Sequence, residues 1–350
     1  MTRLITALTP ADASAACALL SDAHARGEVL YKPLSPDAFS GCFFGENRWG
    51  FAVRNADTLV GFVIGTARPG QNWPMYLTLL LVAPEFRRQG LGTALLSALR
   101  EAALAVGKTS LVVSGDNPVH LSWLIPGTPG HDHNNAPGVQ EDTLGYPFLL
   151  ARGFHDDYHE IAMHIDLRDY RWDPALDARL SALAAEGIRV GLWNPNLGME
   201  FDGMCDRVGS EYWRGVLRAE LAAWQSGQPN DNPEYWADGR RPTGPRPLLT
   251  ATHEGHIIGF TGPVDLQASG RGYFTGICTD PAWGGRGIAT LLFNQLMQAF
   301  IAEGATFSSL FTGRENHARK IYERAGLRVA ASFCALSCPL NGEAFTHRYF

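Results

Sequence analysis

Apolar positions cluster in two stretches of the chain that read alike. In "GFAVRNADTLVGFVIGTAR" (50–68) two β-rich runs flank an Asn-Ala-Asp turn, which predicts a hairpin. "MYLTLLLVAP" (75–84) predicts a third strand. "TALLSALREAALAVG" (93–107) carries apolar residues at helical spacing with Gly107 as its stop, and "SLVVSG" (110–115) predicts a further strand. The order then recurs. "LLTATHEGHIIGFTGPV" (248–264) predicts a hairpin around Glu254-Gly255, "GYFTGICTDP" (272–281) one strand, "TLLFNQLMQAFIAEG" (290–304) a helix and "FSSLFTG" (307–313) the next strand. A repeat this long and ordered predicts a duplicated domain. "HEIAMHIDL" reads as the last strand of the first copy, and "RDYRWDPALD" (168–177) as the seam, so the expected domains are 1–168 and 169–350. At the N-terminus, Thr9 reads as an N-cap, Pro10 as the first helical residue and Asp12 as a capping-box acid. The Pro/Gly/Asn-rich stretch 224–247 reads as a loop inside the second copy.

Composition narrows the class. At 350 residues, 45% hydrophobic and 18% charged, the chain fits two ordinary globular domains. A net charge of −6 without a basic stripe argues against nucleic acid as a partner. No apolar run reaches the roughly 20 residues of a membrane helix, so no membrane partner is expected. The N-terminal stretch does not read as a signal peptide. Six scattered cysteines (Cys17, Cys42, Cys205, Cys278, Cys334, Cys338) read as reduced thiols of a cytoplasmic protein. Cys334-x-x-x-Cys338 lacks His or Cys partners nearby in sequence, and no metal is assigned.

Each copy places glycines between a strand end and a helix start, in "PEFRRQGLGTALL" (84–96) and "PAWGGRGIATLLF" (281–293). A helix N-terminus offers free N–H groups and a positive dipole end, and glycines let the backbone approach an anion. The bland alternative is a tight connection with no ligand, which two copies in one setting weaken. Neither copy is a Walker A loop, and a Rossmann fingerprint fits poorly. "Arg87-Arg88-Gln89-Gly90-Leu91-Gly92" resembles the R/Q-x-x-G-x-G/A turn of the GNAT acetyltransferase superfamily. "Gly284-Gly285-Arg286-Gly287-Ile288-Ala289" keeps the closing G-x-A but has glycine in place of the leading Arg or Gln. "Asn316-His317-Ala318-Arg319-Lys320-Ile321-Tyr322-Glu323-Arg324-Ala325-Gly326-Leu327" is similar to that family's N-x-x-A…Y-x-x-x-G helix.

The resemblance implies an α/β (α+β) chain of two tandem GNAT-fold domains, each a mixed, mostly antiparallel sheet flanked by helices, in an arrangement that resembles the mycothiol synthases. It implies acetyl-CoA as cosubstrate and a small-molecule amine as acceptor, acetylated by direct transfer, in a monomer or homodimer. The implied cofactor-binding residues are Leu81, Val82, Arg87, Arg88, Gln89, Gly90, Gly92, Thr93 and Asn117 in the first copy. In the second they are Ile277, Thr279, Gly285, Arg286, Gly287, Ala289, Thr290 and Asn316. Tyr322 is the implied general acid that reprotonates the CoA thiolate, a task that suits a phenol near pKa 10. In the first copy Leu149 stands at the tyrosine position, so that copy is expected to be degenerate and the C-terminal one catalytic. The strand before each turn carries no acid. Glu200 and Asp202 are the candidates for a base, with solvated helix acids as the plain reading, and no base is assigned. "HDH" (131–133), inside the insertion 125–142, is open to three readings: a metal site, a lid over the acyl site, or a surface loop. Trp73, Tyr76, Tyr212, Trp213 and Tyr273 would suit a partly apolar amine or a core. Two other functions stay open: an acyl-CoA-binding or sensing protein without turnover, and a GNAT-fold aminoacyl transferase, against which the acidic balance argues.

Overall fold

The computed structural model describes residues 4–70, 73–194, 196, 200–235 and 241–341. The chain divides into two compact units. Unit 1 runs to Pro126, from Gly130 to Ile161 and again from Ala331; unit 2 comprises Ala162–Ala330 and Gly127–Pro129.

Unit 1 contains β1 (Ile5–Ala7), α1 (Ala13–Ala25), α2 (Pro36–Phe43), β2 (Arg48–Asn55), β3 (Thr58–Ala67), β4 (Met75–Val82), α3 (Leu91–Ala105) and β5 (Ser110–Val113). These are followed by the short β6 (Ser122–Trp123), β7 (His133–Asn134) and β8 (Val139–Gln140), then α4 (Gly145–Leu150) and β9 (His155–Asp166), which belongs to unit 1 as far as Ile161 and to unit 2 from Ala162. β1 to β4 form an antiparallel meander, and β3 is buried on both faces. Alternation along β3 separates two cores, as a period of two requires. Val63 meets Leu95, Leu99 and Met75 on the α3 side, whereas Phe62 and Ile64 meet Leu20, Phe39 and Phe43 on the α1–α2 side. Leu99 is completely buried, so truncating it to alanine costs about 2–5 kcal/mol. At the start, Asp12 accepts hydrogen bonds from the Thr9 N–H and hydroxyl and pairs with Arg54 at 2.5 Å.

Unit 2 contains α5 (Ala175–Ala185), β10 (Arg189–Leu192), α6 (Asp202–Val208), α7 (Glu211–Ser226), β11 (Leu249–His253), β12 (His256–Gly262), β13 (Asp265–Leu266), β14 (Arg271–Tyr273) and β15 (Gly276–Thr279). After these come α8 (Ile288–Ala302), β16 (Phe307–Gly313), α9 (Arg319–Arg324) and β17 (Arg328–Pro339). β10, β11, β12 and β15 form an antiparallel sheet. The apolar face of α8 (Leu291, Leu292, Phe293, Leu296, Met297, Phe300) is completely buried.

The strand expected over 272–281 is two strands. β14 pairs parallel with β16, and β15 pairs antiparallel with β12. Both halves are closely packed at a glycine. A Cβ on Gly272 would come 2.5 Å from the Phe300 ring, and one on Gly276 would come 2.7 Å from the Trp213 indole. The buried Arg271 donates two hydrogen bonds to the Ser309 carbonyl, at 2.6 and 3.2 Å, and so holds β14 beside β16.

From Ala331 onward β17 belongs to unit 1, where it pairs antiparallel with β5 (Leu336↔Val113) and with β8 (Cys334↔Val139). Each unit is therefore a mixed, mostly antiparallel sheet arrangement flanked by helices. All six cysteines are free thiols. Among the described residues no helix is long and apolar enough to cross a membrane.

Candidate functional site

The unit 1 site begins where two parallel strands part. β4 and β5 pair only at Met75↔Leu111 and Tyr76↔Val112. Beyond that point Leu77–Val82 and Val113–Ser114 face a cleft of about 760 Å³. The turn after β4 closes one end. Gly90, the N-cap of α3, has φ +81°, and its missing Cβ would point into open space. The first N–H groups of α3 thus lie behind an unobstructed mouth. Gly92 lies against another lining residue: a Cβ there would come 3.2 Å from the Phe148 ring.

The cleft lining includes Leu81, Val82, Arg87, Arg88, Gly90, Gly92, Thr93 and Asn117. Their side chains have different duties. Arg87 donates to both oxygens of Glu28, at 2.8 and 2.7 Å, and to the Val82 carbonyl. The Arg87 hydrogen bonds hold the Glu28 carboxyl at about 2, well below its ordinary value. Arg88 is exposed, without a hydrogen bond or ion pair among the described residues. Gln89 donates to the Glu85 carbonyl. Thr93 accepts from Arg152, whose guanidinium lies 3.8 Å from the Phe148 ring centroid. Asn117 is committed to the floor: its Oδ1 accepts from Thr66 and the Val119 N–H, and its Nδ2 donates to Thr78.

Two lining atoms, Ser114 Oγ and Gln140 Oε1, are buried without a partner among the described residues. Leaving such a group unsatisfied costs about 1–3 kcal/mol, which a ligand hydrogen bond would recover. The insertion contributes Ala136, Gly138, Val139 and Gln140 to the wall. Its histidines pack among themselves and against an aromatic, with His131 and His133 ring centroids 4.7 Å apart and His133 5.6 Å from Trp123. Leu149 is 5% exposed and belongs to the α3-side core.

Unit 2 repeats the parting of strands at Arg271↔Phe307 and Gly272↔Ser308. Its turn is occupied differently. Gly285 and Gly287 have φ +76° and +79°, and Gly287 caps α8. Arg179 of α5 lies against this turn: its Nη1 donates to the Arg286 carbonyl at 3.3 Å, and its Nε is 3.4 Å from where a Gly287 Cβ would be. Arg286 pairs with Glu186 at 2.5 Å and lies 5.0 Å from the Trp283 ring centroid. Its charge is therefore already engaged. Ile277 and Thr279 pair with Thr261 and Gly259, and Thr279 Oγ1 is buried without a partner among the described residues. Ala289 and Thr290 lie in the first turn of α8, where the Thr290 carbonyl accepts from Asn294.

Asn316 accepts from the Ala318 N–H at 2.9 Å and so caps the approach to α9. Tyr322 is 6% exposed, with its ring 4.7 Å from Phe293. Burial pushes its phenol up to about 12. Glu200 lines a separate cleft of about 420 Å³ with Arg207, His253 and Trp283, and accepts from the Asp202 N–H. Asp202 pairs with Arg214 and Arg218. Sequence reading did not single out Glu28, Phe148, Arg152 or Arg179, because no local spacing marks a residue that reaches a turn from another element.

The sequence profile of the acetyltransferase (GNAT) family matches residues 18–120 and 213–327, together more than half of the chain. No curated protein matches the chain in sequence. Among solved structures, a GCN5-related glucosamine N-acetyltransferase region of a fungal multi-domain GH3 β-N-acetylglucosaminidase is similar at TM-score 0.52 and 18% identity, covering 96% of this chain. This chain spans only 38% of that protein. A GCN5-related N-acetyltransferase from Sphaerobacter thermophilus is similar at TM-score 0.48 and 18% identity, with 98% of each chain covered. A tandem GNAT protein from the clavulanic acid biosynthesis pathway is similar at TM-score 0.45 and 16% identity, covering 98% of this chain and 100% of the other. With both matched regions carrying the strand–glycine turn–helix unit, the chain belongs to the acetyltransferase (GNAT) family.

Proposed function

We propose that the chain transfers an acetyl group from acetyl-CoA to a small-molecule amine, with the donor held in the cleft of unit 1. One observation carries this reading: the open turn at Gly90 leads into a cleft of about 760 Å³ along the unpaired edge of β4. The pyrophosphate would lie on the first N–H groups of α3 with Arg88 beside it. The extended pantetheine arm, which carries two amides, suits the backbone groups of Leu77–Leu81 that β5 leaves unpaired. Ser114 and Gln140 offer further partners to the arm or the acyl group. In the transfer the neutral amine attacks the thioester carbonyl, the C–N bond forms and the C–S bond breaks. The amine gives up a proton and the departing thiolate takes one.

A second reading places the chemistry in unit 2, with Tyr322 supplying the thiolate's proton. Tyr322 supports it by its place on α9 and by having no hydrogen bond to its hydroxyl among the described residues. Here Gly285, Arg286, Gly287 and Asn316 would hold the donor after Arg179 moves aside. Calorimetric titration with acetyl-CoA, paired with thiol release across a panel of amines, separates the readings. Unit 1 binding predicts that Arg88→Glu weakens acetyl-CoA while Arg286→Glu does not. The reverse pattern transfers the donor to unit 2, and binding without thiol release for any amine supports a sensor instead.

A further inference from the structure

A second cluster of chemistry lies in unit 1 behind the cleft wall. Asp156, His159 and Cys334 place a carboxylate oxygen, a ring nitrogen and a thiol sulfur all within 4.8 Å of one another. The Cys334 Sγ is 3.3 Å from Asp156 Oδ1, and Cys334 is completely buried. His159 Nδ1 lies 2.6 Å from Glu141 Oε1, and the Tyr146 hydroxyl donates to Asp156 at 3.1 Å. Among the described residues no lysine or arginine pairs with Asp156.

We propose that Asp156, His159 and Cys334 form a binding site for a zinc-class divalent cation. Three donor types of this kind suit a borderline-soft ion such as Zn²⁺, with water completing a four-coordinate shell. Glu141 holds one ring nitrogen of His159, the outer-shell contact that fixes a metal-bound imidazole and leaves its other nitrogen for the ion. Tyr146 orients Asp156 in the same way. Binding releases the thiol proton of Cys334 to solvent and involves no change of oxidation state. The ion would brace the cleft wall, because Cys334 pairs with Val139 and the neighbouring Phe333 and Gln140 line the cleft.

The test is a cobalt(II) titration of the reduced full-length protein, read by absorbance, with metal content checked by mass spectrometry after zinc loading. One equivalent of cobalt should give a thiolate-to-metal band, and zinc should displace it. The band should disappear in Asp156→Asn and His159→Gln, whose positions lie outside the core and whose fold is checked by circular dichroism. Glu141→Gln should weaken cobalt affinity about 10–100-fold. Cys42→Ser, which touches none of these residues, should keep the band. Absence of the band in the folded wild-type protein overturns the site, and so does a band that persists in both the Asn and Gln variants. Neither readout depends on acyl transfer.

Discussion

Replacing Glu28 by glutamine separates two effects that the structure ties together at Arg87. The fork of two hydrogen bonds holds the Glu28 carboxyl at about 2 instead of 4.5. That difference corresponds to at most about 3 kcal/mol. Because 28% of Glu28 and 26% of Arg87 are exposed, screening leaves about 1–2 kcal/mol. The folded carboxyl titrates below the unfolded one, so its contribution is full above about 4.5 and is lost as pH falls toward about 2. At neutral pH Glu28→Gln should therefore melt about 2–8 °C below wild type, and the gap should close in acid. Affinity should move the other way. The variant removes one negative charge from the mouth of the cleft and frees a guanidinium for phosphate, which at about 1 kcal/mol is worth roughly fivefold in acetyl-CoA affinity at low salt. Thermal melts across this pH range and calorimetry at two salt concentrations measure both. If Glu28→Gln stays folded yet binds acetyl-CoA no more tightly than wild type, the phosphates do not lie beside Arg87 and the placement of the donor is wrong.

Gly138→Ala would put a Cβ 2.1 Å from the Cys334 carbonyl oxygen; relief needs a backbone shift, so chemical denaturation should show a loss of about 3 kcal/mol. Glu220→Gln leaves Arg246, only 6% exposed, with Asp265 at 3.4 Å as its remaining carboxylate, and should cost about 1–3 kcal/mol. Tyr322→Phe should lower kcat about 100-fold or more, with KM unchanged, if Tyr322 supplies the thiolate's proton; unchanged steady-state kinetics would remove Tyr322 from that role. Arg179→Ala opens the second turn, and calorimetry should then detect acetyl-CoA binding that depends on Gly287.

Whether that last variant gains a binding event bears on how much of the site could be read from residues alone. The glycine turns were legible because φ-positive glycines at a helix start have a local signature. The hairpins and helices were legible because β3 and α8 bury faces whose periodicity repeats along the chain. The Asn316 cap was also local, since its partner is two residues away. What spacing could not convey is occupancy. Arg286 looked like a spare charge for phosphate, yet Glu186 engages it and Arg179 lies across the turn. Arg87 looked like a phosphate ligand, yet Glu28 engages it. β14 and β15 pack against Phe300 and Trp213, and Arg271 donates to the Ser309 carbonyl, partners all distant in sequence. The same holds for β17: an apolar strand pattern is identical whichever strand it pairs with. Two turns of similar sequence therefore differ in what already fills them. In unit 1 the ion pair sits beside an open helix start, whereas in unit 2 an arginine crosses it. A Cβ at Gly90 would meet no side chain, whereas at Gly287 the Arg179 guanidinium stands against the turn, so a phosphate there would meet that cation. Under the two proposed readings the candidate acid Tyr322 and the open turn at Gly90 lie in different units, and measuring donor stoichiometry in Arg179→Ala tests whether unit 2 also holds acetyl-CoA.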